Sequence, residues 1–334
     1  SGVFRKKKCE IDNNKTNHFA ILIAARNEET VIKNLINSLK KQNYPSNKYD
    51  VYVIVNNCTD NTLEVVKNAG AKIIECKQKV KSKGEVLKYT FNKLKSNDEI
   101  DAYVIFDADN VVHREFLNKM NDSINSGYEV VQGFRDTKNI CDNWLSTSYA
   151  ILYYLQSLFI HKSRFNFGKS SFLNGTGFMV KKEIIDQYGY DLKTITEDIE
   201  FTAMCAINGV KIAFNEDAIT YDEQVTDFKS SLKQRKRWSF GAIQCLKNYT
   251  GSLIKEGIKN KRFECFDVII FYFGIIFHVL FTIVSLIGIF YNVFYLNDFN
   301  SMDVVIYFIM FLINYFIGVV FRMIVIKKCN KSIK

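Results

Sequence analysis

Hydrophobic and polar residues follow two alternating patterns from residue 18 onward. Continuous apolar runs of strand length indicate buried β-strands. The predicted strands are FAILIAA (19–25), YDVYVIVNN (49–57), AKIIEC (71–76) and AYVIFDAD (102–109). Apolar positions 31, 32, 35, 36 and 39 have helical spacing, and further helices are predicted over 59–68 and 84–95. Strands that alternate with helices are typical of an α/β fold, here a parallel sheet covered on both faces.

Three later segments are also predicted to be helical. Thr196 is a suitable N-cap for a helix that runs to Asn208 and ends at Gly209. Residues 227–246 combine apolar positions with many cations, which is typical of an amphipathic helix on a membrane surface. The aromatic segment 144–165 fits either a second interfacial helix or a core helix.

Two long apolar segments near the carboxyl end, 266–296 and 304–326, are predicted to cross a membrane as a helical hairpin. Lysine and arginine flank the hairpin at both ends and are absent from residues 297–303, so both flanks are expected in the cytosol. The predicted domains are a basic juxtamembrane segment (1–17), a cytosolic domain (18–226), an interfacial helix region (227–262) and two membrane helices with a basic tail (263–334). The protein is therefore expected to be a multi-pass protein of the plasma membrane. The FRKKK segment (4–8) also fits the cytosolic flank of an upstream membrane helix.

The net charge of +10 raises nucleic acid as a candidate partner. Much of the excess lies in the juxtamembrane positions, where attraction to anionic lipid explains it, so a lipid bilayer rather than nucleic acid is predicted as the partner. The eight cysteines form no CxxC pair. A zinc site or a disulfide framework is therefore not indicated, and reduced, mostly buried thiols are expected.

Polar chemistry follows each predicted strand: ARNEE after the first, NNCTDN after the second and DAD after the last. The carboxyl ends of parallel strands form the usual ligand crevice of such sheets. Asp107 and Asp109 are two residues apart and should face one space, where they repel each other unless a cation lies between them. Mg²⁺ or Mn²⁺ would suit these ligands together with a diphosphate. The alternative is a polar turn in which Asp109 or Asn110 caps the next helix.

Three further motifs have both a structural and a functional interpretation. Glu197 and Asp198 either stabilise the start of a helix or provide a general base. NGTGF, with Gly175, Thr176 and Gly177, is either a bulge or a surface where the backbone approaches a substrate closely. In QRKRW, Arg237 would bind a diphosphate and Trp238 would stack on a sugar ring.

Together, ARNEE, NNCTDNT, KSKGEVL, VIFDADN, NGTGF, TEDIEF and QRKRW resemble, in this order, the membrane-bound family 2 glycosyltransferases, the group of cellulose, hyaluronan and poly-N-acetylglucosamine synthases. The resemblance covers about residues 18–246. It implies a GT-A type fold with a Rossmann-like, mainly parallel sheet.

The resemblance also implies roles for individual residues. The donor nucleotide would be held by Ala24, Ala25, Arg26, Asn27, Glu28, Asn56, Asn57, Asp60, Lys83, Asp107, Ala108, Asp109, Gln234 and Arg237. Asp107 and Asp109 would hold the metal, Asp198 would act as the base beside Glu197, and Gly175, Thr176, Gly177 and Trp238 would contact the acceptor. The family usually has aspartate at the position of Asn56, so the identity of the nucleotide base is less well indicated.

The implied function is inverting transfer of a hexosyl or N-acetylhexosaminyl group from a UDP-sugar to a glycan or lipid-linked acceptor, in the synthesis of a surface or extracellular polysaccharide. The alternatives are a non-processive polyisoprenyl-phosphate or glycolipid sugar transferase and a membrane-tethered sensor without turnover. Adjacent acids such as Asp107 and Asp109 fit a glycoside hydrolase poorly. Polymer export through two membrane helices would require a partner subunit or a homo-oligomer.

Overall fold

The computed structural model describes residues 15–80 and 82–274, together with the isolated residues 283, 287 and 309. The strands are β1 (Phe19–Ala25), β2 (Tyr49–Val55), β3 (Lys72–Glu75), β4 (Ala102–Asp107), β5 (Val111–Val112), β6 (Val130–Thr137), β7 (Phe178–Lys181) and β8 (Ile212–Asp222). The helices are α1 (Ile32–Leu39), α2 (Thr62–Asn68), α3 (Lys83–Leu94), α4 (Phe116–Asn125), α5 (Trp144–Leu155), α6 (Ser163–Asn166), α7 (Lys182–Tyr188), α8 (Glu197–Asn208) and α9 (Phe228–Lys259). A 3₁₀ turn (Ser46–Lys48) precedes β2, and a π-helical segment (Gln156–Lys162) joins α5 to α6.

All eight strands form one sheet in the order β3-β2-β1-β4-β7-β6-β8-β5. Strands β3, β2, β1 and β4 are mutually parallel, as the sequence predicts. Strand β7 is antiparallel to both β4 and β6, and β5 is antiparallel to β8, so the sheet is mixed, with parallel pairing throughout the four strands predicted to be parallel. Because β7 reverses the direction between β4 and β6, the carboxyl ends of β4, β6 and β8 lie at the same edge of the sheet.

Alternating residues of the strands pack into a separate core on each face of the sheet. Phe19, Ile21 and Ile23 of β1 pack with residues of α1 and α4. Ala20 and Leu22 pack with residues of α3, α7 and α8 on the opposite face. Strands that are buried on both faces consist of consecutive apolar residues, which is why β1 and β4 are recognisable in the sequence.

Helix α8 has the predicted span, and Gly209 ends it in the left-handed conformation. Thr196 precedes it, but the Thr196 hydroxyl accepts no capping hydrogen bond, so that part of the prediction is wrong. The predicted helices near residues 29–42 and 59–68 are shorter, spanning Ile32–Leu39 and Thr62–Asn68, because polar loop contacts occupy their first residues. Residues 144–165 are helical without a break, as predicted, and comprise α5, the π-helical segment and most of α6.

Helix α9 extends well beyond the predicted end at residue 246 and packs against α8. Residues 263–274 are helical and pack against the same side of α8 through Cys265, Val268 and Tyr272. The predicted membrane spans, 266–296 and 304–326, lie mostly outside the described residues. Within the described part of the chain, no helix combines the length and apolarity needed to cross a bilayer.

The described cysteines are free, and four of them, Cys76, Cys205, Cys245 and Cys265, are buried. Cys58 is partly exposed and Cys141 is exposed. Cys9 and Cys329 lie outside the described residues.

Candidate active site

A cleft of about 490 Å³ opens at the edge of the sheet where the strands β4, β6 and β8 end. Its walls also include the loop before β7, the start of α8 and the first half of α9. The cleft brings together twelve of the residues singled out in the sequence: Ala24, Glu28, Lys83, Asp107, Ala108, Asp109, Gly175, Glu197, Asp198, Gln234, Arg237 and Trp238.

Asp107 and Asp109 both line the cleft, as the DAD motif predicts. Lys83, at the start of α3, forms an ion pair with Asp107 and donates a hydrogen bond to the Gly175 carbonyl oxygen at 2.7 Å. Burial alone would lower the pKa of Lys83, but Asp107 and Glu197 raise it above its ordinary value, so the ammonium stays charged.

Asp109 lies in an electronegative environment. Burial, Asp222 and Asp107, in this order, raise the pKa of the Asp109 carboxyl to about 7. Neither Asp109 nor Asn110 caps the following helix, which begins at Phe116 after Glu115. Asn110 is instead fully buried, donates a hydrogen bond to Asp222 at 3.0 Å and accepts one from the Asp107 backbone N–H at 3.2 Å.

Glu197 and Asp198 belong to the first turn of α8 and line the same cleft as Asp107 and Asp109. The Glu197 carboxylate lies 3.7 Å from the Lys83 ammonium. Burial raises the pKa of Glu197 to about 7, and it also raises the pKa of Asp198. A carboxylate whose pKa is raised toward neutrality is suited to accept a proton during a reaction.

Gly175 brings the backbone next to Asp198. Its φ of +87° is in the left-handed region, and a Cβ atom at this position would lie 3.3 Å from Asp198 Oδ2. Glycine is therefore required both by the backbone conformation and by the space. Thr176 and Gly177 lie beneath the cleft, where the Thr176 hydroxyl accepts a hydrogen bond from the Asp107 N–H at 3.0 Å.

The QRKRW segment places Gln234, Arg237 and Trp238 in the cleft lining. The Trp238 ring contacts Tyr149 of α5 edge to face, with ring centroids 6.1 Å apart. The Arg237 guanidinium forms no ion pair with a described residue and is exposed at the cleft. It is therefore available to an anionic ligand.

The remaining predicted nucleotide-binding residues lie beside the cleft, in the loops that follow β1 and β2. Asn27 accepts hydrogen bonds from the Thr59 N–H (2.8 Å) and hydroxyl (3.3 Å), and the Asp60 carboxylate accepts from the Glu29 N–H at 3.2 Å. Asn27 and Asn57 have positive φ angles of 60° and 48°. The predicted site residues that do not line the cleft are Ala25, Arg26, Asn27, Asn56, Asn57, Asp60, Thr176 and Gly177.

The sequence-based prediction missed Arg135, Asn174, Asp222 and Glu223, which also line the cleft. Arg135 Nε donates to Asp222 Oδ2 at 2.8 Å, and its guanidinium lies 4.0 Å from the centroid of the Tyr153 ring. Arg135 and Asp222 lie near the carboxyl ends of β6 and β8, in the segments GFRDT and ITYDE. Charged residues at the carboxyl end of a strand were the signal that identified DAD, and these two segments carry the same signal.

The chemistry of the cleft fits a divalent cation. Seven carboxylates and three basic side chains line it, so the cleft carries excess negative charge. No group of three or more potential metal ligands occurs among the described residues. Two carboxylates are nevertheless sufficient for Mg²⁺ or Mn²⁺ when the phosphates of a bound substrate provide further oxygen ligands.

Residues 16–241 match the profile of the family described as Glycosyltransferase like family 2. The chain is 25% identical over 283 residues to the probable glycosyltransferase YdaM of Bacillus subtilis, covering 77% of this chain and 64% of that protein. It is 24% identical over 233 residues to the beta-monoglucosyldiacylglycerol synthase of Synechocystis, covering 69% of this chain and 48% of that protein. The chain thus spans about half to two thirds of the length of these relatives.

A solved structure has a similar fold. The mannosyltransferase PcManGT from Pyrobaculum calidifontis, determined in complex with GDP-Man and Mn²⁺, superposes with a TM-score of 0.55 at 14% identity. The superposition covers 76% of this chain and 69% of that chain. With the family match over residues 16–241, the mixed sheet and the acidic cleft at its edge, the chain belongs to glycosyltransferase family 2 and has a GT-A-like α/β fold.

Proposed function

We propose that the protein transfers a sugar from a UDP-sugar to a hydroxyl group of a lipid-linked or glycan acceptor, with inversion at the anomeric carbon. The observation that carries this proposal is the position of Asp198, which faces the same cleft as Asp107 and Asp109. A single in-line displacement requires a base and a diphosphate-binding site in one cleft.

In this mechanism Asp198 accepts the proton of the acceptor hydroxyl. The acceptor oxygen forms a bond to the anomeric carbon while the bond from that carbon to the diphosphate oxygen breaks, and the diphosphate leaves with the electron pair. Asp107 and Asp109 would hold a divalent cation, which supplies charge neutralisation for the diphosphate when bound. Arg237 and Lys83 provide further positive charge on either side of the diphosphate.

Asn56 is compatible with uracil as the base of the donor. Its side-chain N–H group donates to the Cys76 carbonyl oxygen at 3.0 Å, which fixes the orientation of the amide. The amide oxygen receives only a long hydrogen bond of 3.5 Å from Asn57. It can therefore accept the ring N–H of uracil, as the carboxylate usual at this position would.

A panel of radiolabelled UDP-sugars, with Mn²⁺ or Mg²⁺ and a lipid extract as the acceptor source, tests the proposal. Transfer of label to a lipid or glycan together with release of UDP is expected for at least one sugar. Donor binding without transfer to any acceptor would favour the sensor alternative. Transfer from GDP-sugars but not from UDP-sugars would contradict the assignment of the base.

We further propose that α9 binds a lipid surface. Several large apolar side chains of α9 are exposed, and lysines are interleaved with them. These apolar residues are Phe228, Leu232, Phe240, Ile243, Ile254 and Ile258. Exposed apolar residues among cations are characteristic of interfacial helices. The name of the Synechocystis relative, which describes a diacylglycerol product, supports a lipid-borne acceptor.

Vesicle sedimentation tests the lipid-binding surface. Leu232→Ser, at a residue that is 59% exposed on α9, should weaken binding to anionic vesicles. Leu63→Ser, at a residue that is 41% exposed on α2, is the matched control and should leave vesicle binding unchanged. Equal binding by both variants and the parent protein would rule out this surface. Processive synthesis, export and the two membrane spans remain predictions from the sequence.

A further inference from the structure

A second cavity, of about 550 Å³, opens along α9 next to the active-site cleft. Ile195, Gln234 and Arg237 line both cavities, so the groove lies directly beside the cleft. Its volume falls within the range of about 300–1,000 Å³ that is typical of small-molecule sites. A ligand in this groove would therefore reach the cleft directly.

The groove is cationic on one side and apolar on the other. Lys233, Lys236, Arg237 and Phe240 have the helical spacing that places them on one face of α9. No carboxylate lines the groove, and none of the three cations forms an ion pair with a described residue. Phe240 and Ile195 are 54% and 37% exposed and provide the apolar surface.

The neighbouring cleft has the opposite charge, with seven carboxylates against three basic side chains. An anionic group that entered the cleft without a cation would be repelled by these carboxylates. The same group would be attracted by the three cations of the groove. This difference would orient a substrate that carries both an anionic group and a hydroxyl.

We infer that the groove binds the acceptor, and that the acceptor is an amphiphile with a phosphate group near its reactive hydroxyl. The phosphate contacts Lys233 and Lys236, and the first part of the apolar chain lies on Ile195 and Phe240. The hydroxyl enters the cleft and gives its proton to Asp198. This inference rests on the proposed function, because it names the class of acceptor for the same site.

Two short-chain lipids with identical acyl chains, one with a phosphate group and one without, test the inference. The full-length protein in detergent is titrated with dihexanoyl phosphatidylglycerol and with dihexanoylglycerol, without donor, and binding is measured by calorimetry. The phosphatidylglycerol should bind about 10-fold more tightly than the neutral lipid, because cations lie close to its phosphate. Inorganic phosphate at the same concentration should bind more weakly than the phosphatidylglycerol, since it lacks the chain.

The double variant Lys233→Gln/Lys236→Gln should bind the phosphatidylglycerol about 10-fold more weakly than the parent protein does. Its affinity for the neutral lipid should be unchanged. Lys255→Gln/Lys259→Gln, which removes the same charge from the far end of α9, is the matched control and should keep the parent affinity. Equal losses in the two double variants would mean general attraction to a basic helix and would overturn the inference. So would equal binding of both lipids, or inorganic phosphate binding as tightly as the phosphatidylglycerol.

Transfer of label from the UDP-sugar panel separates this inference from the proposed function. Preferential transfer to the phosphatidylglycerol, reduced in Lys233→Gln/Lys236→Gln, supports both. Equal transfer to both lipids, unaffected by these substitutions, overturns the groove as the acceptor site and leaves the proposed function intact. If the protein binds the lipids with the expected preference but transfers no sugar from any UDP-sugar, the proposed function is contradicted. The anionic binding site would still be supported.

Discussion

Asp198 and Glu197 are adjacent carboxylates with different neighbours. Glu197 lies 3.7 Å from Lys83, which reduces its basicity, whereas Asp198 lies beside Gly175 without a cationic partner at ion-pair distance among the described residues. Asp198 is therefore the better base, and Glu197 holds Lys83 in position.

The pH dependence of the reaction follows from the raised pKa values of the cleft. Burial raises the pKa of Glu197 to about 7, and it also raises the pKa of Asp198. Acidification protonates these groups, and a protonated carboxyl neither accepts a proton nor holds a cation. We expect kcat/KM to fall as the pH decreases through about 7, well above the ordinary carboxyl range of about 4.

A pH–rate profile of kcat/KM at saturating metal, with circular dichroism at each pH as the control for unfolding, measures this effect. A rate that stays constant down to about pH 5 would contradict the assignment, because an unperturbed carboxylate would still be charged there.

Arg135 is predicted to matter for stability through its buried ion pair with Asp222. Arg135→Met leaves the Asp222 carboxylate buried without its partner, which typically costs about 3–5 kcal/mol. Arg26→Met, at an exposed arginine, is the control and should change the free energy of unfolding by less than about 0.5 kcal/mol. Denaturant unfolding measures both, and similar stability of the two variants would show that the ion pair contributes little.

The sequence did not reveal this ion pair because its partners are 87 positions apart. Whether they meet depends on the register between β6 and β8, which itself shifts between Gly133 and Phe134. Asp107 and Asp109 could be identified because they are two residues apart, at the end of β4 and in the turn that follows it. Local patterns thus predict local pairs, and distant pairs require the sheet topology.

At the scale of elements, the start of α8 and the middle of α9 are held together by a buried carboxylate. Glu200 is fully buried and accepts hydrogen bonds from the Lys193 and Thr194 N–H groups at 2.9 Å and 2.6 Å. The Tyr249 hydroxyl of α9 also donates to Glu200. The start of α8, which contains Asp198, and the QRKRW segment of α9 therefore belong to one packed unit.

Gly241 permits this close packing. A Cβ atom at Gly241 would lie 2.1 Å from the Thr196 hydroxyl oxygen, so Gly241→Ala must move α9 away from the start of α8. We expect a loss of about 1–3 kcal/mol in stability and a lower kcat, because Asp198 and Arg237 separate.

Gly251→Ala provides the matched control on the same helix, where a Cβ atom would meet no atom within 4 Å. This substitution should be neutral or stabilising, since alanine favours helix more than glycine does. Thermal unfolding and initial rates compare the two variants. Parent-like activity and stability of Gly241→Ala would show that the two helices are not rigidly coupled.

The predictable elements of this fold were those with strong local periodicity. Strands β1 and β4 are continuous apolar runs, and α8 ends at a left-handed glycine, so all three were recognised. Strands β6, β7 and β8 were not assigned, because their mixed composition resembles that of loops. The antiparallel position of β7 depends on long-range pairing with β4 and β6, which no local pattern specifies.

At the scale of the whole molecule, negative charge in the cleft makes donor binding dependent on a cation. Seven carboxylates face a ligand that is itself an anion. We expect UDP with Mn²⁺ to raise the melting temperature, and UDP with a chelator to leave it unchanged, because only the bound form stabilises the folded state. Asp109→Asn should greatly reduce the Mn²⁺-dependent shift. An equal shift with and without metal would contradict the metal-dependent site.

The central claim is that Asp198 removes the proton from an acceptor hydroxyl in the same cleft that binds the sugar donor. The most direct test is the rate of sugar transfer by Asp198→Asn at saturating donor, acceptor and metal. The account predicts a rate about 10²–10⁴-fold below that of the parent protein, with Mn²⁺-dependent UDP binding retained. Transfer at the parent rate would contradict it.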